Sequence, residues 1–123
     1  MTSNYISLPY PVSTNRYWRR VGYRLIVSAE AIEYKRLTAL AFKQQGCKHH
    51  GSADVCVTIV ILPKMNKDGT QSKNLIDIDN GIKVTLDALN GLAYDDDRQV
   101  KRLYVSYGDM RPGGGLLVKI TDC

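Results

Sequence analysis

With 123 residues, 44% of them hydrophobic, the chain can form one continuous core without disulfide staples and is too short for a second domain of ordinary size. No stretch approaches the roughly 20 apolar residues of a membrane span, and Met1 to Pro9 has neither a charged leader nor a sustained apolar run, so a soluble, cytoplasmic protein without a membrane partner is expected. Seventeen Lys and Arg against twelve acids leave a formal net charge of +5, which favours polyanionic partners.

Tyr5 to Leu8 reads as a short opening strand, followed by a loop punctuated by Pro9, Pro11, Ser13 and Asn15. Basic and aromatic residues then interleave as Arg16, Tyr17, Trp18, Arg19, Arg20, Tyr23 and Arg24. Ser28 is a good N-cap, with Glu30 near the positive end of the dipole, for a helix through Ile32, Leu37, Leu40 and Ala41 that Gly46 stops. Cys47, His49 and His50 lie in a turn bracketed by Gly46 and Gly51 with no second ligand pair at zinc spacing, and are expected outside any site.

Ala53 to Leu62 is nearly continuous in β-branched and aliphatic residues and closes at Pro63, the pattern of a central strand covered on both faces. Cys56 falls inside that run. With Cys47 and Cys123 it makes an odd, widely spaced set, so reduced thiols are expected. Lys64 to Lys73 is a polar, Gly-containing loop expected to lie beside the site. A second helix follows from about Asp79 to Leu89, with Asp79 able to cap, Ile82, Leu86 and Leu89 on one stripe, and Asn90-Gly91 ending it. Val100 to Tyr107 and Leu116 to Thr121 read as strands around a turn at Arg111 to Gly115, most simply an antiparallel hairpin. The order β, α, β, α, β, β predicts one small α/β (α+β) domain over residues 1–123, a mixed β-sheet with two helices.

Charge is strongly segregated along the chain. Between Asp77 and Asp97 stand six acids (Asp77, Asp79, Asp87, Asp95, Asp96 and Asp97) with Lys83 as the single base, and the remainder carries a formal +10. A broad positive surface beside a compact carboxylate nest suits a metal-dependent enzyme acting on a polyanion. If the chain is extended through Asp79, Asp77 and Asp79 project to the same side. The Asp96-Asp97 pair is expected to fold back to meet them, because Gly91 permits a sharp reversal and a helix of this length spans only about 16 Å. Such carboxylates repel one another without a cation, and Mg²⁺ favours their hard oxygens. Lys83, one turn after Asp79, is placed to meet a scissile phosphate; its simpler reading is an ion pair with Asp79 or Asp87 on a solvated helix.

Several elements together resemble the RusA family of phage and prophage Holliday junction resolvases. These are Leu8-Pro9, Ser13-Thr14-Asn15-Arg16-Tyr17-Trp18-Arg19, Val27-Ser28, Tyr34-Lys35, Asp77-Ile78-Asp79-Asn80, Lys83, Asp87-Ala88-Leu89 and Asp96-Asp97-Arg98-Gln99-Val100. The resemblance implies a homodimeric endonuclease that binds four-way DNA junctions and cuts two opposing strands symmetrically with Mg²⁺ or Mn²⁺. It places the essential aspartates at Asp77 and Asp79, the essential lysine at Lys83, and the third aspartate at Asp97. Because Asp95 extends the acidic run, Asp96 stays open as the alternative third ligand.

The mechanism expected is an in-line displacement in which metal held by Asp77, Asp79 and Asp97 orients water, leaving 5′ phosphate and 3′ hydroxyl ends. Arg16, Arg19, Arg20, Arg24, Lys64, Lys67, Lys73 and Arg102 are candidates for backbone phosphates, and Tyr17 or Trp18 for stacking on opened bases. Two-strand cutting calls for a two-fold dimer, with the last two strands and Tyr104 and Tyr107 as candidate interface. The competing readings are a non-catalytic nucleic-acid-binding regulator and a nuclease for flaps or other branched DNA.

Overall fold

Val55–Leu62 forms β4, the strand around which the computed structural model is organised; the structure describes residues 5–123, without the side chains of Thr14 and Asn15. Val55, Val57, Ile59 and Ile61 are almost fully buried, as the two-residue period of a strand demands of the face that meets a core. The intervening Cys56, Thr58 and Val60 are only half-buried. Cover on both faces is therefore corrected to cover on one: residues of the helices join the core cluster on the Val55–Ile61 side, and the apolar run continues onto an open face because β-branched side chains also suit a half-exposed sheet.

The sheet is four-stranded and mixed, in the order β1 (Ile6–Leu8), β6 (Gly115–Asp122), β4, β5 (Val100–Tyr107). β5 pairs parallel with β4, and β6 pairs antiparallel with both β4 and β1. The predicted hairpin between the last two strands is not formed. Both edges of β4 carry backbone groups that need partners, and β5 and β6 take one edge each. Their connection, residues 108–114, crosses the end of β4, where Gly108 N–H donates to Ile61 O at 2.8 Å and Arg111 N–H to Pro63 O at 2.9 Å.

The same register corrects the expectation for two thiols. Cys56 lies opposite Thr121, which brings Cys123 beside β4, and the two cysteines form a disulfide with Cα atoms 5.5 Å apart although 67 positions separate them in the chain. Among the described residues Cys47 is the free cysteine, its thiol pushed up by burial.

Ser28 caps α2 (Ala29–Gln44) as expected: its Oγ accepts from Ala31 N–H at 3.1 Å and donates to Arg16 O at 2.5 Å. Tyr34, Thr38 and Phe42 follow at four-residue spacing on the buried face. α3 (Ile78–Leu89) buries Val84, Ala88 and Leu89, and it begins one residue early, with Asp77 rather than Asp79 at the cap position. Residues 14–27 form a short α1 (Thr14–Tyr17) and a separate hairpin, β2 (Trp18–Val21) with β3 (Arg24–Val27), which the sequence did not announce. Only Gly22 of its two-residue turn has positive φ, at 61°, as a type II′ turn requires. Nearly every side chain of this hairpin is exposed. Tyr17, Ala31, Tyr34, Val84 and Ala88 make a second small core that seats α1 against α2 and α3.

Candidate active site

Asp77 is extended (φ −66°, ψ 149°) and exposed, and its carboxylate makes no capping bond, while Asp79 lies in the first turn of α3. Both charges therefore stand at the positive end of the helix dipole. Two phenols clamp the preceding residue: Ile76 N–H donates to Tyr10 Oη and Tyr107 Oη–H donates to Ile76 O, each at 2.9 Å. Burial, then the nearby charge of Asp77, Tyr10 and Asp79, pushes the Tyr107 phenol up. Sequence reasoning gave Tyr10 no role, because a tyrosine 66 positions from its partner leaves no local signal.

A cavity of about 740 Å³ opens beside Asp77, lined also by Asn80, Glu30, Arg16 and Lys64. Lys64 Nζ lies 4.9 Å from the centre of the Tyr10 ring. Of the eight cations expected to hold phosphates, Arg16 and Lys64 thus share the Asp77 cavity. Lys67 and Lys73 are exposed on the loop before α3, and Arg19, Arg20 and Arg24 on the hairpin. Arg102 pairs in register with Cys56 and stands on the open face of the sheet, away from α3.

Lys83 is exposed and lines a second cavity of about 290 Å³ with Asp97, Asp87, Leu86, Tyr17 and Trp18. Tyr17 donates its hydroxyl to Asp87 Oδ2, and Lys35 Nζ lies 3.1 Å from the same oxygen. Trp18 is half-exposed and meets Tyr17 edge-to-face at 5.1 Å.

Asp96 and Asp97 differ in what their oxygens do. Asp96 Oδ1 accepts from Arg98 N–H at 2.9 Å and Oδ2 lies 3.1 Å from Arg98 Nη2, which holds this carboxyl below its usual range. Asp97 is exposed and opens the 3-10 turn Asp97–Gln99; partial burial, then Asp96 and Asp87, raises its carboxyl. The expected meeting of these acids with Asp77 and Asp79 does not occur within one chain. Among the described residues no group of three or more His, Cys, Asp and Glu could hold a metal ion. Gly91 does reverse the chain (φ 79°), but Asp95 N–H then donates to Gly51 O at 3.1 Å, and the turn stays beside Lys83 and Asp87 instead of returning to the start of α3. Along α3 the rise from its first residue is about 8 Å to Lys83 and about 14 Å to Asp87. Within a single chain Asp97 thus lines a different cavity from Asp77.

Residues 9–121 match the family described as Endodeoxyribonuclease RusA. The chain belongs to the RusA family of endodeoxyribonucleases. It is also similar to a protein of Enterobacteria phage HK97 named crossover junction endodeoxyribonuclease rusA, with 32% identity over 116 residues that cover 94% of this chain and 91% of that protein. No helix among the described residues is long and apolar enough to cross a membrane.

Proposed function

We propose that this chain is a Mg²⁺-dependent, structure-selective endodeoxyribonuclease that resolves four-way DNA junctions by paired symmetric cuts, acting as a homodimer. The observation that carries the reading is the Asp77 cavity, where an exposed carboxylate shares the lining with two cations, Arg16 and Lys64, in a chain of this family. Arg16 and Lys64 hold backbone phosphates against the start of α3, and the Lys83 ammonium stabilises the charge that builds on the phosphate as it is attacked. Products are 5′ phosphate and 3′ hydroxyl ends that a ligase can reseal.

Asp77, Asp79 and Asp97 are the proposed metal ligands, with Mn²⁺ as a substitute ion. Asp97 is preferred to Asp96 because Arg98 already engages both Asp96 oxygens. Since one chain leaves Asp97 apart from Asp77 and Asp79, a second copy is the proposed means of completing the nest. Exposed apolar side chains support that copy: Leu25 is 63% exposed and Tyr23 fully so, with Val21 and Ile26 on the other face of the hairpin and Ile32 on α2. Leu25→Asp is expected to weaken self-association at least about tenfold, because an unpaired carboxylate buried at an interface costs more than about 1.4 kcal/mol. Sedimentation of the variant checks this, and an undiminished dimer rules the hairpin out as the interface.

The function is tested by offering the protein, with Mg²⁺, a four-way junction, a flap and a linear duplex and mapping cuts on each strand. Paired cuts on opposing junction strands are expected. Binding without cutting would favour a non-catalytic regulator, and preferential flap cutting a nuclease for other branched DNA.

A further inference from the structure

Among the described residues the buried polar side chains other than tyrosines are Thr38, Thr85 and Gln99, and the two threonine hydroxyls lie near that of buried Tyr34. Gln99, 8% exposed, engages both hydrogens of its amide nitrogen and its carbonyl oxygen. Oε1 accepts from Asp96 N–H at 2.8 Å, while Nε2 donates to Gly51 O at 2.8 Å and to Ala53 O at 2.7 Å. The first bond is half of a local capping box and shapes the turn. The other two reach 48 and 46 positions along the chain, and a turn needs no such contacts merely to form.

Their acceptors belong to a segment that is itself braced. His50 N–H donates to Ala93 O at 2.7 Å, His50 Nδ1 lies 2.6 Å from Asp122 Oδ1, and Cys123 N–H donates to Asp54 O at 3.0 Å. Gly51 O also accepts from Asp95 N–H at 3.1 Å. Asp97 therefore sits between two anchored points, Asp95 before it and Gln99 after it, both tied to residues 51–53. We infer that Gln99 is a positioning residue, whose amide sets where Asp97 is presented for strand cutting. This rests on the role given to Asp97 above. A displacement of about 1 Å at a reacting group can cost about a hundredfold in rate, which is why a buried amide is spent on this turn.

The test compares Gln99→Met, which keeps the volume and removes all three bonds, with Gln99→Glu, which keeps the acceptor for Asp96 N–H and loses the donors to Gly51 and Ala53. Measured are junction affinity, the single-turnover cutting rate at saturating protein, and amide exchange at Asp97 and Arg98. For Gln99→Met the rate is expected to fall at least about tenfold with affinity within about twofold of the parent, and the turn amides to exchange faster while β4 and β6 keep their protection. Gln99→Glu should fall between, and it decides the matter on the same readings if the Met variant does not fold. A folded variant with a loosened turn that cuts at the parent rate overturns the proposal, as does a loss of affinity equal to the loss of rate. Asp97→Asn runs alongside. If it cuts normally, the role of Asp97 falls and this inference with it; if it is silent while the Gln99 variants cut normally, only this inference falls.

Discussion

Asp77→Asn is expected to bind a four-way junction as the parent does and to cut it at least about a hundredfold more slowly at every Mg²⁺ concentration. The substitution is nearly isosteric. Because the Asp77 carboxylate makes no capping bond, the variant loses no hydrogen bond that starts α3. The position of residue 77 is also set from outside its own side chain, by the two phenols that clamp Ile76. What changes is charge: a carboxamide cannot supply the anionic oxygen that the cavity presents opposite Arg16 and Lys64. Binding by gel shift and single-turnover cutting, measured on the same preparation, separate the two effects. Turnover near the parent rate would remove Asp77 from the chemistry.

Ile59→Ala is expected to cost about 2–5 kcal/mol of unfolding free energy and to lower the thermal midpoint by about 10 °C. Ile59 is 1% exposed at the middle of β4, in register with Val105 on one side and Val118 on the other. Neither neighbour can close the space left behind, because ladder hydrogen bonds hold both strands in place. Denaturant titration measures the loss. A cost under about 1 kcal/mol would mean that the centre of the sheet is not where the core is tightest.

What could be read directly in the sequence was local. Ser28 announced α2 because a cap and its acceptor lie within one turn, and the Val55–Leu62 run announced a strand because apolar residues there are adjacent. The hairpin of β2 and β3 escaped because Arg19, Arg20 and Arg24 interrupt any apolar alternation, and the turn that makes it is a single glycine followed by tyrosine. Strand partners were misread for a related reason. A hairpin is the default for consecutive strands, and only the unmet edges of β4 say otherwise.

The site divides in the same way. Asp77, Asp79 and Lys83 fall on one short segment whose spacing could be read, although the cap position moved from Asp79 to Asp77. The placement of Asp97 depends on Gly51 and Ala53, more than forty positions away, and no periodicity in the acidic segment reports that tether. Cys56 and Cys123 paired for the same kind of reason: strand register, not spacing, made them neighbours.

β6 lies inside the sheet, between β1 and β4, and β1 pairs with it across more than a hundred positions of chain, Ile6 opposite Val118. Until β6 docks, one edge of β4 and the whole of β1 stay unmatched, however early the helices and the parallel pair form. Closing the sheet thus waits on a contact of very high sequence separation, which makes acquisition of the native state slow for so small a protein.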